Sequence, residues 1–137
     1  MGTEPRLLLR RLFDTAVAAA DPRAHLSSAL PAAPSRAIVV GAGKASAAMA
    51  EALEAAWPQT ELHGAVAVPE GTGGNLQRIE LIEAGHPVPD EGSVRAARRM
   101  RELVSGLDES DLVIALVSGG GSALLCEPAE GITLAEK

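Results

Sequence analysis

Aromatic side chains are nearly missing from this 137-residue sequence, which has one phenylalanine (Phe13), one tryptophan (Trp57) and no tyrosine. Stacking platforms for single-stranded nucleic acid need several such rings, so that class of partner is excluded. A basic excess is missing as well. Twelve Lys and Arg against eighteen Asp and Glu leave a net charge of −6, which argues against a non-specific nucleic-acid surface or a polybasic membrane patch. Cysteine is reduced to Cys126, which excludes an internal disulfide and a multi-thiolate metal site and fits a reducing cytoplasm. Cys126 itself is expected to pack against a sheet. No apolar run reaches the length of a membrane span. The opening Arg6–Asp14 stretch is too interrupted by charge for a signal segment, and Arg6 stands where a myristoylation pattern needs Ser or Thr. A cytoplasmic protein is expected.

What remains is ordinary for a globular domain with a single core: 47% hydrophobic and 22% charged residues. The chain is organised around Arg36–Ser46. Ala37–Val40 is a short β-branched, apolar run of the kind buried on both faces of a parallel sheet. Gly41 and Gly43 break it, and an Ala-rich helical segment follows over Lys44–Ala56. That helix should turn Ala45, Met49, Ala50, Leu53 and Ala56 inward and leave Glu51 and Glu54 solvated. Strand, glycine turn and helix together aim backbone N–H groups at one spot, which suits an anion. Lys44 adds a positive charge there.

Before this unit, the apolar spacing of Leu9, Leu12, Phe13, Ala16, Val17 and Ala20 predicts a helix over residues 5–20. A cover for one side of the sheet suits it better than a flap over a cleft. A second short helix is expected around Arg23–Leu30, ended by Pro31 and Pro34. After it, strands are expected at Gly64–Val68 and, as an edge, at Ile79–Ala84, with a glycine-rich loop between. Gly85–Ser93 reads as a connection stiffened by Pro87 and Pro89, with Asp90 or Ser93 capping the next helix. That helix should present Val94, Ala97, Met100, Leu103, Val104 and Leu107 to the core and its arginines to water.

Asp111–Val117 is the strongest strand by pattern, apolar on both faces. It runs into Ser118, Gly119, Gly120, Gly121 and Ser122, and then into a helix start near Ala123–Cys126. Alternating strands and helices predict an α/β fold, a parallel-sheet Rossmann-like layer with flanking helices. Ligands of such sheets bind beyond the carboxyl ends of the strands, and both glycine loops belong there.

The first loop is not a Walker A sequence, which separates its first glycine from Gly-Lys by four residues. It nearly fits a dinucleotide fingerprint, with Ser46 in the third glycine position. The acidic partner of that fingerprint is misplaced: Glu61 precedes the second strand and Glu70 comes late. Lys44 suits a transferring phosphoryl group or a substrate carboxylate better than a hydride cofactor. Three successive glycines are costly to order, so Gly119–Gly121 point to a ligand. A nucleophilic Ser118 or Ser122 is the rival reading, but Gly-x-Ser-x-Gly is absent. His25 and His63 have no acidic partner by pattern. His86 can touch a ligand or donate to a backbone carbonyl.

Val39–Ser46, Gly85–Asp90 and Val117–Leu125, with Pro128 and Gly131–Leu134, resemble in order and spacing the amino-terminal domain of the type-2 glycerate kinases, a family often labelled hydroxypyruvate reductase. The resemblance covers nearly the whole chain. It implies transfer of the ATP γ-phosphoryl group to the 2-hydroxyl of D-glycerate with Mg2+, giving 2-phosphoglycerate. Lys44 then matches the lysine at the transferring phosphoryl group. Gly41, Gly43, Ser46, His86 and Ser118–Ser122 match the nucleotide or substrate cleft. Family members are longer, so residues 1–137 are expected to be a partial first domain, without the second domain, its metal ligands or kinase activity of its own, and with apolar surface exposed at the cut sheet. An NAD(P)-dependent reductase and a non-catalytic binding remnant are the alternatives.

Overall fold

The structure, a computed structural model, describes residues 4–137. Its elements run α1 (Pro5–Ala19), α2 (Pro22–Ala29), β1 (Arg36–Ala42), α3 (Ser46–Ala56), β2 (Glu61–Pro69), β3 (Ile79–Ala84), α4 (Glu91–Leu103) and β4 (Val113–Val117), then a 3-10 turn at Leu134–Glu136. All strand pairs are parallel, in the order β3-β2-β1-β4. This is the expected α/β layer, with β3 at one edge as anticipated.

Register follows from close backbone approach. Val39 of β1 pairs with Gly64 of β2 and Ile114 of β4. A Cβ on Gly64 would collide with the Val39 carbonyl, so only glycine lets these two strands meet here. Alternate side chains then feed two cores. On the α3 face, Ala50, Leu53 and Trp57 pack on Val39, Leu62, Val66 and Leu116, with Leu26 of α2 and Leu30 just after it closing the side. On the opposite face, Ala96 and Met100 of α4 pack on Ala42, Ala65, Ala67 and Ile82. Small alanines let α4 lie close, while the larger aliphatic residues and Trp57 fill the α3 side.

Several expectations need correction. Helix α1 forms where its spacing predicts, but every residue from Glu4 to Ala20 is exposed, so it does not cover the sheet, whose α3 face is packed by α3 and the side chains of Leu26 and Leu30. Helix α3 begins at Ser46 and buries Ser46, Ala47, Ala50 and Leu53, while Met49 and Ala56 pack half-buried against the same core, so the expected face holds and widens to take in Ser46 and Ala47. Its glutamates are not idle in solvent. Glu54 accepts the N–H groups of Gln77 (2.9 Å), Arg78 (2.7 Å) and Ile79 (3.0 Å). Glu51 accepts Asn75 N–H (3.1 Å) and pairs with Arg23 at 2.6 Å. Helix α4 stops at Leu103, short of Leu107. Among the described residues β4 is an edge strand, with Val113 and Val117 exposed rather than buried on both faces. The glycine loop after it leads into turns, not a helix.

Candidate anion site at the switch point of the sheet

Strands β2 and β3 are laid down on one side of β1, and α4 then carries the chain to β4 on the other side. The carboxyl ends of β1 and β4 therefore flank the point where strand order reverses, the usual place for a ligand crevice. Both glycine loops lie there, as the sequence implied.

Their roles differ. Loop one is a joint. Its Gly43 N–H donates to Ala67 O (3.0 Å), its Ser46 N–H to Gly43 O (3.2 Å) and its Ala45 N–H to Ser118 Oγ (2.9 Å). Gly43 has φ 139°, and a Cβ there would strike Ser118. Gly41 is packed as tightly against Leu116. Ser46 is fully buried, and its hydroxyl donates to Leu116 O at 2.9 Å; it faces the sheet, away from the crevice. Lys44 is the exposed member of this loop.

Loop two is open. Ser118 N–H donates to Ala42 O (3.1 Å) and Leu124 N–H to Gly121 O (3.0 Å), while the N–H groups of Gly119, Gly120, Ser122 and Ala123 meet no acceptor among the described residues. Gly120 has φ 81°. A Cβ on it would lie 3.2 Å from His86 Nε2, 3.5 Å from Lys44 Cε and 3.8 Å from Lys44 Nζ, so the structure brings Lys44, His86 and loop two together. Gly121 is pressed against Ala42 O, where a Cβ would come within 2.9 Å, and Ser122 is exposed.

His86 is delivered by a closed loop. Asp90, the expected cap of α4, accepts Gly85 N–H at 2.9 Å and Ser93 N–H at 3.1 Å. The Gly85 bond first, helped by those from Ser93 and Gly92, holds the Asp90 carboxyl below its ordinary value of 3.8. Sequence reasoning saw Asp90 as a cap but not as the closure of the loop that carries His86. The other histidines lie elsewhere. His25 Nε2 is 2.8 Å from the Ala19 carbonyl. His63, expected to be unpaired, lies 2.8 Å from Glu61 Oε1, because side chains two apart share a strand face.

Beside loop two, a groove of about 500 Å³ runs between β1, β4 and α4, walled by Val40, Ala115, Val117, Met100 and Val104, with Ser118, Gly121 and Ser122 on its rim. Its walls are mainly apolar, with Arg101 the charged side chain that lines it. Cys126 is buried, with Lys137 Nζ 3.2 Å from its sulfur. No group of three His, Cys, Asp or Glu side chains among the described residues is arranged to hold a metal ion. No helix among them is long and apolar enough to cross a membrane.

Comparison with known proteins places this geometry. A family model described as "Domain of unknown function (DUF4147)" matches residues 8–137. The chain is 53% identical over 133 residues to a protein of Agrobacterium vitis named as a candidate hydroxypyruvate reductase, covering 96% of this chain and 30% of that protein. It is 43% identical over 102 residues to the D-glycerate 2-kinase of Thermotoga maritima, covering 74% of this chain and 24% of that one. The crystal structure of glycerate kinase from Thermotoga maritima superposes with a TM-score of 0.76 at 35% identity, over 90% of this chain and 30% of that chain. The chain thus spans less than a third of the length of each.

Proposed function

The chain belongs to the family of the domain of unknown function DUF4147, and from that membership and its likeness to glycerate kinases we propose that it is the amino-terminal part of a glycerate 2-kinase. The reaction moves the γ-phosphoryl group of ATP to the 2-hydroxyl of D-glycerate. The new bond joins that oxygen to phosphorus, the bond to the bridging oxygen of ADP breaks, and the hydroxyl proton leaves. The observation that carries this reading is the meeting of Lys44, His86 and loop two at the switch point. Phosphoryl transfer asks a protein chiefly for positioning and for charge opposite the phosphoryl oxygens. The Lys44 ammonium supplies such charge, and glycine N–H groups supply donors without side chains in the way. Among the described residues no three His, Cys, Asp or Glu side chains group as metal ligands; the Mg2+ of this reading would neutralise charge on the ATP phosphates, with which it would arrive. In this reading residues 1–137 are half of a cleft whose remainder comes from a second domain, in a cytoplasmic enzyme.

A reductase reading has one point in its favour: Glu70 directly follows β2, nearer to a ribose-binding position than its sequence spacing implied. Against it stands Ser118, whose hydroxyl takes the Ala45 N–H at the start of α3, where a dinucleotide would need to seat its pyrophosphate.

Phosphorus NMR of D-glycerate with magnesium ATP, using the protein at its natural length, tests the proposal. A 2-phosphoglycerate signal is expected for wild type and not for Lys44→Ala, and none from residues 1–137 alone. A silent spectrum beside glycerate-dependent reduction of NAD would overturn it in favour of the reductase.

A further inference from the structure

We propose that Asp90 and Ser93, at the start of α4, are positioning residues that set the gap between His86 and loop two from outside the crevice. Only the reaction that this gap serves is taken from the kinase reading. The His86 ring has no support of its own. The histidine rings that hydrogen-bond among the described residues are those of His25 and His63, so His86 lies where its backbone puts it. Asp90 holds that backbone. A cap of α4 needs only the Ser93 N–H, which Asp90 Oδ1 accepts at 3.1 Å. The same oxygen also accepts the Gly85 N–H at 2.9 Å, so both ends of the His86 loop hang on one atom. Ser93 returns the grip, its hydroxyl donating to the Asp90 carbonyl at 2.6 Å. Ser93 is wholly buried.

The same helical turn holds the opposite wall. Cys126 N–H donates to the Ser93 carbonyl at 3.3 Å, and Leu124, wholly buried, packs with Ala96 and Met100 of α4. Leu124 N–H in turn donates to Gly121 O at 3.0 Å, which carries the constraint into loop two. Helix α4 is itself pressed onto the sheet: a Cβ on Gly92 would come within 2.6 Å of the Glu83 carbonyl in β3. Neither wall can shift on α4 without losing a bond to Asp90 or Ser93. At the top of the crevice a Cβ on Gly120 would lie 3.2 Å from His86 Nε2, and no hydrogen bond among the described residues joins the two sides there. The gap is fixed at its base.

The test is NMR of the protein at its natural length with isotope-labelled histidine, the His86 ring signal being identified by its loss in His86→Gln. Through-space contacts between that ring and the Gly120 α protons are expected in wild type and in Asp90→Asn, which keeps an acceptor at Oδ1. They should vanish in Asp90→Ala. Ser93→Ala, which keeps the cap and loses only the hydroxyl, should weaken them, and it reads the same gap if Asp90→Ala does not fold. Phosphoryl transfer then separates positioning from general stability. Asp90→Ala should lower kcat by about ten- to a hundredfold, the scale of a small misplacement, and should cost nothing further in a His86→Ala background, because it acts through His86. Wild-type contacts in Asp90→Ala or Ser93→Ala would overturn the role of the residue concerned, and losses that add in the double variant would overturn that of Asp90. Contacts that respond as expected without any 2-phosphoglycerate would keep the positioning residues and discard the kinase. Transfer with contacts indifferent to both substitutions would do the reverse.

Discussion

Replacing Ser46 by alanine separates a structural hydroxyl from a ligand-binding one. Ser46 is wholly buried at the start of α3, and its Oγ–H donates to the Leu116 carbonyl of β4 at 2.9 Å, tying the helix to a strand seventy residues away. Removing the donor loses one buried bond worth about 1 kcal/mol and leaves a carbonyl without its partner, a penalty of about 1–3 kcal/mol when nothing else reaches it. Alanine returns roughly 0.5 kcal/mol through helix propensity. A net loss of about 1.5–3.5 kcal/mol follows, which lowers the melting temperature by about 5–12 °C for a domain of this size. Trp57, the sole tryptophan and 4% exposed, reports the transition by fluorescence in a urea titration. Affinity for phosphate or D-glycerate should stay at the wild-type value. Unchanged stability together with lost affinity would refute this account and return Ser46 to the crevice.

Three other expectations follow from the same contacts. The Arg78 guanidinium donates to the carbonyls of Glu54 (2.7 Å), Trp57 (3.0 Å) and Thr60 (2.8 Å), closing the end of α3. Arg78→Met should therefore cost about 2–4 kcal/mol, and Arg78→Lys should not restore it, since an ammonium lacks the fork; urea midpoints decide. The Glu51 carboxyl is held below its ordinary 4.5 first by the Asn75 N–H and then by Arg23, and that of Asp90 below 3.8 first by the Gly85 N–H. A lowered folded-state value means a contribution present in full above the unfolded value and lost as pH falls through the folded one. Stability should thus be flat through neutrality and decline below about pH 4.5, and Glu51→Gln should flatten the upper part of that decline. Finally, Val117 is 67% and Val113 40% exposed along the free edge of β4, a surface that invites pairing. Size-exclusion chromatography should show concentration-dependent association that Val117→Lys reduces; a monomer at all concentrations would contradict it.

Local pattern determined a good deal. The β-branched run before Gly41, the breaks at Pro58 and Pro69, the spacing of Val94 and Met100 and the cap at Asp90 are consequences of backbone sterics and short-range hydrogen bonding. They appear in the structure within a few residues of where the sequence places them. The pairing of the two glycine loops was legible too, because parallel βα units put all such loops at one end of a sheet.

Which donors of the two glycine loops stay free was not legible, because it depends on neighbours distant in sequence. Ser46, Gly43 and Ala45 look like an anion site until β2 and β4 are laid beside β1, whereupon Ala67 takes the Gly43 N–H, Ser118 the Ala45 N–H and Leu116 the Ser46 hydroxyl. Glu54 looks solvated until the β2–β3 connection folds back over α3. Helix α1 has an apolar face by spacing, but only the packing of α2 on α3 shows that the position over the sheet is already filled. Periodicity gives an element its faces. What each face meets was decided by strand order, which α4 sets by crossing from β3 to the far side of β1.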